Sequence, residues 1–501
     1  MNGTKARLQR ATVGPGLLWG AVAVAAGAIA AQLPLAMSGL FLAGGVAGVG
    51  LLVEPALAIM VMVAVAPLKA LISTEVSAAF PLDVGQAALL VALLAWGAWR
   101  VSSTRQRTWP VTWVLAPLLI ILAGFMPSLW YAASVSAWLT EWAKWIAMAA
   151  LAVVVFDLAR TGRGEWIAFG VVWSALLQAL LGLYQFYGGS GAPHLWIDDY
   201  RHFRAFGTFG QPNPFSGFMG LVLPLTLGLA GGYAGSAWHR WRGGKRIQAR
   251  LWAAVAWWYG GCALILLAGL IASWGRGAWL GFGVAVMVMV FFAPRWRWHG
   301  VLLIGILAVL ALVIWVSGLL PAPVQARLDS AFADLAGWRD VRGAPLNDAN
   351  YATLERLAHW QAAAAMASAH LWTGVGLGNY EVVYPAYALP RWPHALGHAH
   401  NEYLNTLAET GLVGMVGYLL GWALIVAGTV RALRQRDPLR RGIALGLLGT
   451  WSHFATHSLV DKLTVNNLFL HLGVMLGLLA WVSEGIHCTA FEGWPDAHDD
   501  F

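Results

Sequence analysis

The feature that most constrains this chain is a long series of apolar runs, many reaching the roughly 18–20 residues that a helix needs to cross a bilayer. They fall at about 14–31, 36–53, 55–72, 84–100, 110–127, 137–157, 166–187, 212–236, 251–272, 277–293, 300–319, 402–430, 442–459 and 465–483. Hydrocarbon offers the backbone no hydrogen-bond partner, so such runs fold as helices whose N–H and C=O groups pair within the segment. The expectation is an all-α polytopic membrane protein of about fourteen transmembrane helices, with twelve as the lower count because 14–72 is crowded. Composition agrees: 59% of the 501 residues are hydrophobic and only 11% are charged, and the mean hydropathy is +0.65.

The net charge of +8 reads as membrane anchoring rather than nucleic-acid binding, because of where the charge sits. With the N-terminus in the cytoplasm, alternate connections collect Lys5, Arg7 and Arg10; Arg100, Arg105 and Arg107; Arg160 and Arg163; and Arg240, Arg242, Lys245, Arg246 and Arg250. They also collect Arg295 and Arg297, then Arg431, Arg434, Arg436, Arg440 and Arg441, so that 20 of the 31 lysines and arginines lie on one side. That bias is the positive-inside rule, and it puts both termini in the cytoplasm. The first run is expected to stay as a helix, since no small-residue cleavage site follows it. Cys262 and Cys488 are too far apart on this topology to pair.

The remaining basic residues break the bias. Arg201, Arg204, Arg276, Arg327, Arg339, Arg342, Arg356, Arg391 and Lys462 fall on the outer side. So does the one large polar segment, about 320–400. Within it Asn350–His370 has helical spacing, Thr373–Asn379 is a Gly-rich turn, and Tyr380–Tyr387 is a second short helix. The glycines are turn residues rather than a phosphate loop, because no strand precedes them and no Lys-Ser/Thr follows.

Three outer clusters carry groups fit for chemistry. The stretch Arg201–Pro214 holds two guanidiniums and Asn213 on a tight Gly/Pro re-entry. Ser273–Trp279 is a minimal hairpin that sets Arg276 near the hydrocarbon boundary. Arginine there costs about 2.5–3.5 kcal/mol on insertion scales, so it lines a cavity or meets an anion; its rigid fork of donors suits phosphate. The third cluster, His398-Ala399-His400-Asn401-Glu402, ends the polar segment and opens an apolar run. Asn401 is suited to cap that helix. His400, at the positive end of the helix dipole, is held toward the neutral imidazole that takes a proton. Two other features read as structural. Glu141 and Lys144 neutralise each other at i, i+3, and His453 and His457, spaced for a metal, have no His-Glu pattern beside them.

These motifs resemble a known superfamily. His400-Asn401, nine residues, Gly411, two residues, Gly414 is similar to the His-[Asn/Ser/Gln]-x9-Gly-x-x-Gly signature of bacterial O-antigen ligases. Arg204 through Asn213 resembles that superfamily's Arg-x-x-Gly-Thr-Phe-x-x-Pro-Asn segment, and Ser273 through Trp279 its Ser-x-x-Arg-Gly-Ala-Trp hairpin. Arg356, followed by His370 through Gly376, resembles the loop element ahead of the catalytic histidine. Gly275 departs from the pattern, since many relatives carry Ser there. The resemblance covers about 165–460; the N-terminal third is alike only in being a bundle of helices.

The resemblance implies a GT-C-like, metal-independent glycosyltransferase with no cofactor. Its partners would be a glycan carried on undecaprenyl diphosphate, an acceptor glycolipid, glycan or protein, and the lipid bilayer, with no nucleic acid. His400 would be the base, and Arg204 and Arg276 would hold the diphosphate. Arg356, His398, Asn401, Arg201 and Asn213 would bind substrate. The division implied is N-terminal helices 1–165, central helices 166–319, outer loop 320–400, C-terminal helices 401–484 and an acidic cytoplasmic tail 485–501. The membrane would be the bacterial inner membrane, with the site on its outer face. The motifs are shared by ligases, Wzy-type polymerases and protein O-oligosaccharyltransferases; a different class, an anion (bicarbonate-like) transporter, would use the outer arginines as a vestibule.

Overall fold

In the computed structural model the described residues are 53–75, 83–102, 108–188, 195–197, 201–320, 324–327, 340–347 and 350–484, with 48, 50 and 51. The first apolar run and most of the second, Lys5, Arg7, Arg10, Arg105, Arg107, Arg339, Cys488 and the tail 485–501 lie outside them.

The described residues form α1 (Pro55–Val65), α2 (Lys69–Glu75), α3 (Val84–Ser102), α4 (Leu115–Phe125), α5 (Val135–Leu158), α6 (Gly164–Gly188), α7 (Pro212–Arg242) and α8 (Arg246–Ala272). There follow α9 (Arg276–Phe292), α10 (Arg297–Val316), α11 (Tyr351–Ala369), α12 (Tyr380–Tyr387), α13 (Glu402–Ala432), α14 (Pro438–His457) and α15 (Leu468–Val482). The only strands among them are a two-residue antiparallel pair, β1 (Trp196–Ile197) and β2 (His202–Phe203).

The count of about fourteen membrane spans is corrected. Among the described residues seven helical stretches are long and apolar enough to cross a bilayer: Pro55–Ser73, Val84–Ser102, Val135–Gly188, Pro212–Arg242, Arg246–Ala272, Arg297–Val316 and Glu402–Ala432. The physical reasons are specific. The runs at 137–157 and 166–187 lie in one stretch of 54 residues, within which the non-helical Thr161 and Gly162 make the kink that parts α5 from α6. Leu115–Tyr131, Arg276–Phe292 and Leu468–Val482 are apolar but short. Helix α14 has the length, but Arg440 and Arg441 begin it and His453, Thr456 and His457 end it. With the count goes the even number from which both termini were placed on one side.

Helix α7 is the buried centre of the bundle, packed on α8 and α14. Its contact with α14 is made backbone to backbone: a Cβ at Gly228 would lie 2.3 Å from the Gly442 carbonyl oxygen, and one at Gly446 2.8 Å from the Leu225 Cα. Small residues allow that approach where lipid supplies no hydrophobic drive. Pro224 deletes a donor inside α7, and the Thr450 hydroxyl donates to the nearby Leu221 carbonyl at 2.9 Å. Such side-chain repair is how proline is tolerated in an apolar helix.

Helix direction gives the bundle two ends. Helix α7 runs toward Arg242, α8 returns from Arg246 to Ala272, α13 runs from Glu402 toward Arg431, and α14 returns to His457. At the far end the Arg441 guanidinium donates to the Ala293 carbonyl at 2.7 Å, tying the α9–α10 and α13–α14 connections together. The connections rich in arginine thus share one end, and the sequence motifs share the other.

The outer segment folds as its spacing predicts, with a helix at Tyr351–Ala369 and a second at Tyr380–Tyr387. It is locked onto α13 by Val375 N–H to the Ala408 carbonyl, Gly376 N–H to Glu409 and Leu412 N–H to Leu371, at 2.8–2.9 Å. Gly411 makes this docking fit. Its φ of 63° breaks α13, and a Cβ there would stand 2.4 Å from the Thr373 nitrogen. Only glycine satisfies both demands.

Candidate active site

The re-entry after β2 is pinned to α6. The Gln185 side-chain oxygen accepts from Phe206 and Gly207 N–H, and Gln178 accepts from Thr208 N–H. Ala205 N–H donates to the last carbonyl of α8, Ala272, at 3.0 Å. Arg204 is thereby carried to the 273–276 hairpin, where its Nε donates to the Ser273 carbonyl at 2.9 Å and its Nη2 reaches Asn213 Oδ1 at 3.4 Å. Arg201 is exposed, and the neighbouring His202 ring stacks on Phe186.

The hairpin is tightly built. Trp274 takes a left-handed conformation, φ 58°, unusual for a bulky residue. It presents its carbonyl to the Arg327 Nε and Nη2 at 3.1 and 2.9 Å. Gly275 caps α9, and a Cβ there would come 2.5 Å from the Ser216 hydroxyl. The departure from Ser at this position has a local cause: Ser216 of α7 fills the space.

Burial, and then the guanidiniums of Arg327, Arg356 and Arg276, push Arg204 down to about 9. Guanidiniums from three other segments therefore act on Arg204. Arg204 stays charged at neutral pH, in a field that favours an anion. Arg356 lines a narrow cleft of about 20 Å³ with Thr353, Leu357, Trp360 and Val460. Val460 in turn packs against Gly277 of α9, so the cleft borders the helix that begins with Arg276.

The histidine stretch closes the other side. Asn401 caps α13, its side-chain oxygen accepting from Leu404 N–H at 2.9 Å while its amide donates to the Leu459 carbonyl at 2.8 Å. Those bonds commit Asn401 to positioning. His400 precedes the cap in a left-handed conformation, φ 51°. Trp360 Nε1 donates to its carbonyl at 3.3 Å, and its own N–H donates to His398 Nδ1 at 3.1 Å. The His400 Nδ1 faces Asp461 Oδ1 at 3.4 Å, a separation that a small rotation turns into a hydrogen bond. Burial alone would raise the Asp461 carboxyl, but the His400 ring and the imidazoles of His398 and His457 hold it well below the usual carboxylate range. Asp461 was absent from the sequence-derived set; its one signal is that it adjoins Lys462, already placed on the outer side.

Lys462 ties this loop to α5. It lies 3.4 Å from Glu141 Oε1, while Lys144 bonds the other oxygen of the same carboxylate. Burial works against the Lys462 charge, yet Glu141, Glu409 and Glu402 hold its ammonium above the ordinary range. His453 and His457 stand with ring centroids 5.4 Å apart, buried inside the bundle. His398, His400 and Asp461 bring one potential ligand atom each within 4.8 Å of one another, the one group among the described residues that could take a metal ion.

Burial depresses His398 to about 3, the nearby Asp461 opposing and His400, Lys462 and His359 adding to the fall. Burial and then His400 depress His359 to about 4, with its Nδ1 3.0 Å from the Tyr380 hydroxyl. The unfolded chain protonates both near 6.5. Stability from these rings is therefore complete above that pH and is lost as pH falls toward 4, because the unfolded state then binds the extra protons. Thermal unfolding at pH 5 should show a lower midpoint than at pH 7.5, and His359→Phe should narrow the difference; equal midpoints for the unmodified protein would contradict the assignment.

Compared as a whole with curated proteins, the chain finds no match. Residues 261–419, which hold the Arg276 hairpin, Arg356, the histidine stretch and Gly411, match the O-antigen ligase family, Wzy_C. The chain is thus a polytopic membrane protein that carries an O-antigen ligase family domain at residues 261–419.

Proposed function

We propose that this protein transfers a glycan from a polyprenyl diphosphate to an acceptor hydroxyl on the outer face of the membrane. The observation that carries the reading is the meeting of Arg204 and Arg327 on the adjacent carbonyls of Ser273 and Trp274, at the hairpin that leads into Arg276, beside a histidine that faces a carboxylate. A diphosphate is the anion that a convergent set of guanidinium forks suits best.

With Nδ1 turned to Asp461, the His400 tautomer leaves Nε2 as the proton acceptor. The acceptor hydroxyl gives its proton to Nε2 as its oxygen attacks the anomeric carbon. The bond from that carbon to the diphosphate oxygen breaks, the leaving diphosphate keeps the electron pair, and the configuration at carbon inverts. Asp461 steadies the imidazolium, as an acid does behind a catalytic histidine elsewhere. The arginines neutralise charge that grows on the leaving group. Arg356 and Trp360 share a face of α11, so that helix both orients substrate and fixes the His400 backbone.

The test is transfer by purified protein from an undecaprenyl-diphosphate glycan to candidate acceptors. Asp461→Asn should keep the fold and cut transfer by about 10²-fold or more. Unchanged turnover in that variant would remove the His–Asp pair from the mechanism. Chelator should leave the rate unaltered; dependence on a divalent ion would shift the chemistry to the His398–His400–Asp461 group.

A further inference from the structure

A large groove lies at the end of the bundle away from His400. It has a volume of about 950 Å³ and runs between the second half of α7 and the first half of α8. The inner faces of these two helices are filled by rings, with Tyr233 stacked on Tyr259 at 5.5 Å and against Trp252 at 5.2 Å. The outer faces reverse the usual pattern of a lipid-facing helix. Gly231, Ala234, Ala253, Ala256 and Gly260 line the groove where leucine or isoleucine would ordinarily fill the space. Three tryptophans border it, Trp238 and Trp241 at 54% and Trp257 at 82% exposure, the amphipathic rings that settle at a membrane interface.

Two arginines, Arg246 and Arg250, stand at its mouth. They are one helical turn apart on α8 and exposed, and their guanidiniums make no hydrogen bond or ion pair among the described residues. Their neighbours are otherwise engaged: Arg240 sits over Trp252 at 3.6 Å and Arg242 over Trp238 at 5.6 Å. Helix α8 begins at Arg246, and Lys245 supplies no side-chain cap; the Arg246 N–H donates to the Gly244 carbonyl and the Ala249 N–H to Lys245, so the N–H groups of Ile247 and Gln248 are the ones left at the open end of the helix for a phosphate.

We propose that this groove binds an anionic phospholipid of the leaflet opposite the active site, with the headgroup phosphate on Arg246, Arg250 and the α8 N-terminus and an acyl chain along the small residues. Charge selects this occupant over a second copy of the chain. A two-fold contact would bring the same arginines of both copies together, whereas basic sites between membrane helices suit anionic headgroups. The bound lipid stiffens the α7–α8 pair, whose other ends carry Asn213 and Ser273. The inference does not depend on the reaction catalysed.

Native mass spectrometry of the full-length protein, released from bilayers of phosphatidylcholine and phosphatidylglycerol in equal parts, tests it. Phosphatidylglycerol should be retained over phosphatidylcholine by about thirtyfold, the size expected of two arginine contacts at a membrane surface. Arg246→Gln/Arg250→Gln should bring the two lipids to parity, and Ala253→Leu, which fills the groove and keeps the charge, should lower retention of both. Equal retention by the unmodified protein, or undiminished preference in the double variant, overturns the proposal. So does a dimer that Ala253→Leu dissolves, since the groove would then belong to a second copy.

Discussion

His400→Asn should abolish glycan transfer, lowering it by about 10²–10⁴-fold, the range typical for loss of a general base, while the protein remains folded in the membrane. Asparagine is the informative replacement. His400 holds a left-handed backbone, which asparagine adopts at less cost than most residues, so the loop keeps its shape and only the base is lost. His400→Ala should show the same loss with a small added drop in stability. Transfer rates are read against thermal midpoints of the same preparations. A folded His400→Asn protein with normal turnover would take the base from the mechanism.

Arg276→Ala should cost about 10²–10³-fold, as the removal of one preorganised charge at a developing anion does. Arg276→Lys should recover part of it, because the charge returns but the planar fork does not. Arg204 is expected to separate stability from activity. Burial and three other guanidiniums disfavour its charge, so Arg204→Ala should depress transfer while leaving the melting temperature level or raised. The relief of repulsion offsets the lost bonds to Ser273 and Asn213. Sites kept for binding often carry such a stability cost. A fall in stability with no change in turnover would make Arg204 a structural residue.

Much of the site was legible because its residues break local rules. Arginines on a tight hairpin, a histidine at the mouth of an apolar run and an asparagine suited to cap a helix each announce themselves. The cap was found as expected, the Asn401 oxygen accepting from Leu404 N–H, though its two bonds leave it a positioning part. Asp461 was not legible. It reaches His400 only because α13 and α14 close side by side, with Glu402 N–H donating to the Ser458 carbonyl at 2.9 Å, a tertiary register that no local pattern encodes. The misjudged span count has a different cause. Hydropathy marks where apolar residues run, α9 included, but a run as short as Arg276–Phe292 falls below the roughly 18–20 residues a span needs. The docking of the outer segment onto α13 was not legible either: Gly411 meets Trp372 and Thr373 of that segment, while Gly414 packs toward Phe125.

The account rests on one reaction occurring where the arginines and His400 meet. The most direct measurement pairs two products in one vessel: purified protein in a lipid disc, a labelled undecaprenyl-diphosphate glycan, an acceptor and excess chelator. The account predicts one undecaprenyl diphosphate released for each glycan joined to acceptor, and both products lowered together by about 10²-fold or more in Arg276→Ala and His400→Asn. Donor left intact across a panel of glycolipid, glycan and protein acceptors, with labelled anions instead crossing sealed vesicles, would contradict it.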